Sequence, residues 1–402
     1  MTPPIAAPMR HLKTVGLACA LFGLAAWVFW GCYVFAFHGT LGQDWMVFYA
    51  GARAYLEGNL PVVFDGQQLT DMLNRRFATW LSMPLNLHPW VYPPNFLLLF
   101  LPFGLLPPAA SFAIFQTTGL VAALAAAWRY ATRGVPREML VFSLVLCPAV
   151  PFNVITGQNA FFSAALLLGG FGLLARSPIL AGALLGILTF KPQIWLMVPI
   201  ALLAARQWRA LASASAVAVL IACLSLAVFG TEIWRVWLEL MTGASDQYRT
   251  WVAVGRINGM SVFACVSLLG APDALASGCQ AAAMIVAAGA VYWVFAHGGT
   301  GPLPLAVLMT ATILAAPHAS TSDAILLGLA ASLFLAAATD VGLRASHAVI
   351  AAAVWICPLC NPPSIFRIGV VTPVLLVIFL ACLVNALRER DAAVATGALL
   401  PQ

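Results

Sequence analysis

The chain has 402 residues, of which 62% are hydrophobic and 8% charged, with a formal net charge of +6. Soluble domains carry about 25% charged residues, so this composition excludes a soluble enzyme. It indicates an all-α polytopic membrane protein with room for roughly ten to twelve spans of about 20 residues. The basic residues form no single patch, and several fall in short loops, as the positive-inside rule requires; that pattern speaks against a nucleic-acid partner.

Arg10, His11 and Lys13 precede an apolar run from Thr14 to Phe37. The run exceeds the 7–15-residue core of a signal peptide and no small-x-small site closes it. We read it as an uncleaved first span with its basic flank in the cytoplasm. Residues 38–94 then form a polar insertion, read as the first periplasmic loop. Asp44, the first acidic residue of the chain, lies at its start. Trp45, Phe48, Tyr49, Ala52, Tyr55 and Leu56 recur at helical spacing, which predicts an amphipathic helix over 45–57 that Gly58 ends. Leu69, Met72, Leu73, Phe77, Trp80 and Leu81 predict a second one with Asp65 near its start. Their aromatic apolar faces suit a membrane surface. His88-Pro-Trp-Val-Tyr-Pro-Pro94 is a rigid extended lead-in to the next apolar stretch.

From there spans and short loops alternate. Asn95–Ala131 is broken at Pro102 and at Pro107-Pro108 and is read as one crossing; two crossings would invert the middle of the topology. Met139–Ile155 returns to Thr156-Gly-Gln-Asn159. Phe161–Ala175 follows, and Ile179–Ala205 is read as a hairpin of two short helices around Phe190-Lys191-Pro192-Gln193. Leu211–Phe229 leads to a second periplasmic loop over 230–258. Met260–Leu269 is too short to cross and is read as re-entrant. Spans near 277–296, 302–316, 322–339, 345–358 and 368–387 complete a single membrane domain covering 1–402. The cysteines lie mostly in apolar segments and read as small apolar residues. Cys357 and Cys360 are the one close pair, which is poor zinc spacing.

This topology brings Asp44, His88, Gln158, Lys191, Arg256, Asn258 and His318 to the outer face. For Asp44 two compatible roles stand: a cap for the helix beginning at Trp45, and a general base whose pKa is raised by aromatic shielding. Lys191 is one of two lysines and sits at membrane depth, where a cation faces a cavity or a partner; it either snorkels or binds a phosphate. Arg256 offers a fork for phosphate oxygens or is simply solvated. His318 is a loop residue or a phosphate contact, and Asp323 a helix cap or part of the same site. Gln158, Asn159, Asn258, Tyr92 and His88 are candidates for sugar or acceptor contacts, with capping as the alternative for Asn159. The chain has no P-loop, no Gly-x-Gly-x-x-Gly, no His-Glu-x-x-His and no Asp-x-Asp.

Asp44-Trp-Met-Val-Phe-Tyr-Ala-Gly-Ala-Arg-Ala-Tyr-Leu-Glu-Gly58, Val91-Tyr-Pro-Pro-Asn95, Gly157-Gln-Asn159 and Ala181-Gly-Ala-Leu-Leu-Gly186 followed by Lys191, taken in order, resemble glycosyltransferase family 87. The resemblance covers 14 to about 325. It implies the class C membrane glycosyltransferase architecture and an inverting transfer of a sugar, mannose first, from a polyprenyl-phosphate donor to a glycan or glycolipid acceptor. It also implies a multi-pass protein of the bacterial inner membrane with a periplasmic site and an acidic catalytic residue at the outer end of the first span, where Asp44 stands. Lys191 is matched directly, His318 and Asp323 more loosely, and Arg256 and Asn258 more loosely still. Asn95 departs from the large aliphatic residue usual after Tyr-Pro-Pro. Phosphate held by Lys191, Arg256 and His318 calls for no cofactor, while leaving a metal open. A transporter or flippase of lipid-linked sugars is the alternative, although no matching halves are seen.

Overall fold

The computed structural model describes residues 6–36, 40–131, 134–241, 260–340, 344–360 and 371–395. These residues fold into α-helices joined by short 3-10 turns, an all-α membrane architecture. Six helices are long and apolar enough to cross a bilayer: α1 (Ala6–Phe35, apolar from Thr14), α5 (Pro108–Tyr130), α12 (Trp208–Phe229), α15 (Asp273–Gly298), α17 (Ile325–Asp340, with the turn before it) and α19 (Thr372–Ala395). α6 (Arg137–Leu146) and α7 (Ala149–Thr156) make a seventh, bent by 52° at Cys147-Pro148. α16 (Pro302–Ala315) and α17 are buried along nearly their whole length and form the centre of the bundle.

The insertion after α1 departs from the surface-helix expectation. α2 (Gln43–Leu56) begins at Gly42, whose φ of +80° favours glycine, and ends in a left-handed Gly58. Asn59 N–H then closes back on Ala54 C=O (2.8 Å), the six-to-one bond of a Schellman turn. Nine of its fourteen residues are buried, so α2 is embedded on several faces instead of lying on a membrane surface by one stripe. Its small residues permit this. A Cβ on Gly51 would come within 2.7 Å of Trp90, and Ala52 Cβ sits where a side chain on Gly104 would stand. α3 (Gly66–Arg76) does have one apolar face, with Leu69, Leu73 and Phe77 buried, and Asp65 caps it by accepting from Gln67 and Gln68 N–H (3.1 and 2.9 Å).

α4 (Pro94–Gly104) starts beside Phe190, yet its far end returns to α2, where Tyr49 donates to Leu106 C=O (2.9 Å). Eleven residues rise about 16 Å, half of a bilayer core. Only α5 therefore crosses between Asn95 and Ala131. α8 (Ala160–Leu173) runs parallel to α5, with Gly119 against Phe161 and Phe162 at one end and Gly172 against Tyr130 at the other. α9 (Pro178–Ile187) climbs back and α10 (Pro192–Trp195) and α11 (Met197–Ala204) descend, forming the predicted hairpin with Lys191 at its tip. α9 packs on α12 through Gly182 and Gly186, where a Cβ would lie 2.2 Å from Ala210 C=O and 2.5 Å from Ala214 C=O. α13 (Thr231–Met241) lies at the same end as the hairpin tip, Trp237 donating to Val91 C=O (3.3 Å). α14 (Val262–Leu268) has seven residues, too few to cross, and α18 (Ala345–Ile356) precedes α19.

Candidate active site

The tight packing at one end of the bundle converges on a polar cluster. Its floor is the turn Gly157-Gln-Asn159 between α7 and α8. Gly157 has φ +77°, and a Cβ there would stand 2.4 Å from Trp45 Cβ. Asn153, buried in α7, holds this turn from below: its C=O accepts from Gly157 and Gln158 N–H and its side-chain oxygen from Ala160 N–H (each 3.0–3.1 Å). Gln116 of α5 donates to Gln158 C=O (3.0 Å) and accepts from Asn153. Gly42 N–H bonds Ile155 C=O (2.6 Å), which ties the start of α2 to the same place.

Asp44 is in the first turn of α2 and is not its cap; Gly42 holds that position and the helix has no side-chain cap bond. The carboxylate is thereby free to point at the turn, where it shares hydrogen bonds with Gln158 and Thr156. Burial pushes its pKa above the usual carboxylate range, against the pull of His88, those two hydrogen bonds and Lys191. From Asp44 a continuous hydrogen-bonded path runs inward. Tyr92 OH donates to Gln158 Oε1 (3.0 Å) and lies 3.4 Å from Asn159 Oδ1. Lys191 Nζ donates to Asn159 Oδ1 (2.9 Å) and to Asp323 Oδ1 (2.5 Å), with Tyr92 as a further neighbour. Lys191 and Asp323 are each 2% exposed, so the pair is fully withdrawn from water. Burial holds the Tyr92 hydroxyl up at about 12, so it is a proton donor throughout the physiological range.

Five of the residues singled out in the sequence, Asp44, Tyr92, Gln158, Asn159 and Lys191, are thus in one network, with His88 close enough to Asp44 to influence its charge. His88 is held by its own N–H on Thr70 Oγ1 (2.9 Å). His318 is in the loop that carries Asp323. It is half-buried, and burial pulls its pKa down to about 4, so at neutral pH it is an uncharged hydrogen-bonding group. The loop is fixed by Met260 N–H on Ala319 C=O (3.1 Å). Arg256 and Asn258, with 242–258 of the second predicted loop, lie outside the described residues. Asp323, read in the sequence as a cap or site residue, proves to be the counter-ion of Lys191. An acid inside an apolar segment and a lysine at the same depth are each other's natural partners, and that is the signal which points to the pair. Asn153, Gln116 and Thr156 carried no such signal. Asn95 bonds Thr189 Oγ1 (3.3 Å) beside the cluster, and its Oδ1, like Asn159 Nδ2, is a buried polar atom without a hydrogen-bond partner.

A carboxylate of raised basicity beside amide and hydroxyl groups, backed by a buried ammonium, is an arrangement able to take a proton from a hydroxyl and to hold an anion. No curated protein and no solved structure matched the chain in comparison. The family model for glycosyltransferase family 87 matches residues 90–321. That range includes Tyr92, Asn95, the Gly157-Gln-Asn159 turn, Lys191 and His318, with Asp44 before it and Asp323 just beyond. The matched range is more than half of the 402 residues, and it shows that the chain belongs to glycosyltransferase family 87.

Proposed function

We propose that the protein is an inverting glycosyltransferase that moves a sugar, mannose first among candidates, from a polyprenyl-phosphate donor to the hydroxyl of a glycan or glycolipid. The site faces the periplasm of a bacterial inner membrane. The observation that carries this reading is the placement of Asp44: a carboxylate of raised pKa joined through Gln158, Tyr92 and Asn159 to the buried Lys191–Asp323 pair. Asp44 takes the proton of the acceptor hydroxyl, which attacks the anomeric carbon on the face opposite the phosphate. The leaving group is polyprenyl monophosphate, an anion whose departure is eased by fixed positive charge and hydrogen-bond donors. Lys191 supplies the charge. Its Nζ is now engaged by Asp323 and Asn159, so a donor phosphate takes the place of one of these neighbours or is reached through the Tyr92 hydroxyl. His318 contributes as a neutral donor, and Arg256 as a guanidinium. Gln158, Asn159, Asn258, Tyr92 and His88 orient sugar and acceptor. The helices of the insertion over 43–76 form a wall of the site at the periplasmic surface, with α13 beside it through Trp237 on Val91 C=O.

The test is turnover of a radiolabelled polyprenyl-phosphate mannose by purified protein, with release of polyprenyl phosphate as the readout. Wild type is expected to release it and Asp44→Asn to retain donor binding with transfer reduced by about 10²–10⁴-fold. Near-normal transfer by Asp44→Asn would remove the base assignment, and no turnover of any polyprenyl-phosphate sugar would remove the donor class.

A further inference from the structure

At the end of the bundle away from Asp44 the structure has a second polar feature that the transfer reaction does not use. α5 runs from the Gly157-Gln-Asn159 turn to Tyr130, and its 23 residues rise about 34 Å, close to one bilayer thickness. α8 and α17 run the same way, from Asn159 and Asp323 to their far ends. There a cleft of about 500 Å³ opens, lined among others by Arg129, Arg176 and Arg390 together with Tyr130, Phe171 and Thr300. The three arginines come from three separate places in the chain: Arg129 in the last turn of α5, Arg176 just after α8, and Arg390 in the second half of α19. Arg129 and Arg176 have no ion pair among the described residues, and Arg390 meets Asp391 only at 3.9 Å. The cleft is open beside Gly134 and Gly301, where a Cβ would meet nothing within 4 Å. The N-terminus of α16 lies at Gly301-Pro302 on its rim and adds the positive end of a helix dipole.

Arginines placed only to orient the protein would be satisfied in separate loops. Here they converge on one concave space between spanning helices with apolar residues such as Phe171, Ala175 and Ala337 in the wall. Guanidinium groups recognise phosphate by paired N–H donors, and basic clefts between helices at a membrane surface take anionic lipid head groups. We infer that this cleft is a binding site for the phosphate head group of an anionic phospholipid in the leaflet opposite the Asp44 cluster.

The experiment is native mass spectrometry of the full chain in detergent, titrated with phosphatidylglycerol and with phosphatidylcholine. The wild type is expected to retain phosphatidylglycerol selectively. Substitution of Arg129, Arg176 and Arg390 by Gln should weaken that retention by roughly five-fold for each residue and about 100-fold for the triple variant, with phosphatidylcholine unaffected. Should the triple variant not fold, the single variant Arg176→Gln and the charge-keeping triple Lys variant supply the same comparison; the former should lose selectivity and the latter keep most of it. Equal retention of the two lipids by wild type, or undiminished selectivity in the Gln variants, would overturn the site. Binding of inorganic phosphate as tight as that of the lipid would overturn its assignment to a lipid.

Discussion

At the level of single residues, the raised pKa of Asp44 couples function to stability with a definite sign. A carboxyl whose native pKa lies above its unfolded value binds more protons when folded. Its contribution to stability is full below the unfolded value, near 3.9, and is lost as pH rises through the native one. At pH 7 burial of Asp44 therefore costs the wild type stability. Asp44→Asn is expected to melt at the same temperature or higher at pH 7, with the gain gone below about pH 4, even as transfer collapses. Thermal unfolding in detergent at the two pH values checks this; a less stable Asn variant at pH 7 would contradict a carboxylate destabilised by burial. The transfer rate should in turn fall as pH drops through the native value, with a midpoint above the ordinary carboxylate range. The Lys191–Asp323 pair behaves differently, because each partner supplies the other's counter-charge at full burial. Lys191→Met alone strands a carboxylate and should cost about 3–5 kcal/mol, whereas Lys191→Met with Asp323→Leu should recover most of it. Melting curves of the two variants decide the matter: a double variant no better than the single one means that the pair is not what holds these side chains.

Single elements show where residue patterns lead and where they stop. The cap at Asp65, the stripe of α3, the stop at Gly58 and the hairpin around Lys191 follow from local chemistry, so each was legible without the structure. α2 was not. Its aromatic spacing reads as one apolar stripe, but Ala50, Gly51, Ala52 and Ala54 count as neutral in such a pattern and in fact let Trp90 and α4 close on the other faces. Phe48 consequently meets Tyr92, Phe96 and Phe100 at 4.8–5.8 Å, and Trp45 meets Tyr49, Phe77 and Phe112 at 5.0–5.8 Å. These ring contacts add to area burial and make α2 the element on which the site is built. The pairing of Lys191 with Asp323 spans 132 positions and no local pattern encodes it; only the depth of the two charges in apolar segments hints at it. Between α7 and α8 the Gly157-Gln-Asn159 turn has no spare volume. Gly157→Ala must accept both a left-handed backbone and a Cβ 2.4 Å from Trp45 Cβ. A loss of at least about 1–2 kcal/mol is expected, together with reduced transfer, because Gln158 and Asn159 move with the turn. An Ala variant that keeps wild-type melting temperature and transfer would show that the turn can be displaced without touching the site.

At the scale of the whole molecule the two ends of the bundle have opposite chemistry. One gathers Asp44, Tyr92, Gln158, Asn159, Lys191 and Asp323; the other gathers Arg129, Arg176 and Arg390. The helices between them supply the direction. α5 and α8 run from the first end to the second, and α9 and α12 run back, with Gly182 on Ala210 and Gly186 on Ala214 marking their shared sense. α4 does not cross, so the number of traverses between Asp44 and the arginine end is odd, and the two ends must face opposite sides of the bilayer. Arginine excess marks the cytoplasmic side, and on that rule the Asp44 cluster is expected to face out. This can be read with cysteines, because the described native ones lie in apolar segments or are buried, poorly placed for an aqueous reagent. Arg75→Cys, exposed at the end of α3, should be labelled by a membrane-impermeant maleimide added to intact cells or spheroplasts. Arg209→Cys, exposed at the start of α12, should be labelled only after the membrane is opened. Labelling of both from the same side would break the single crossing of α5 on which the outward assignment depends. Labelling in the reverse order would keep the fold and turn the site to the cytoplasm, where a periplasmic donor could not reach Asp44.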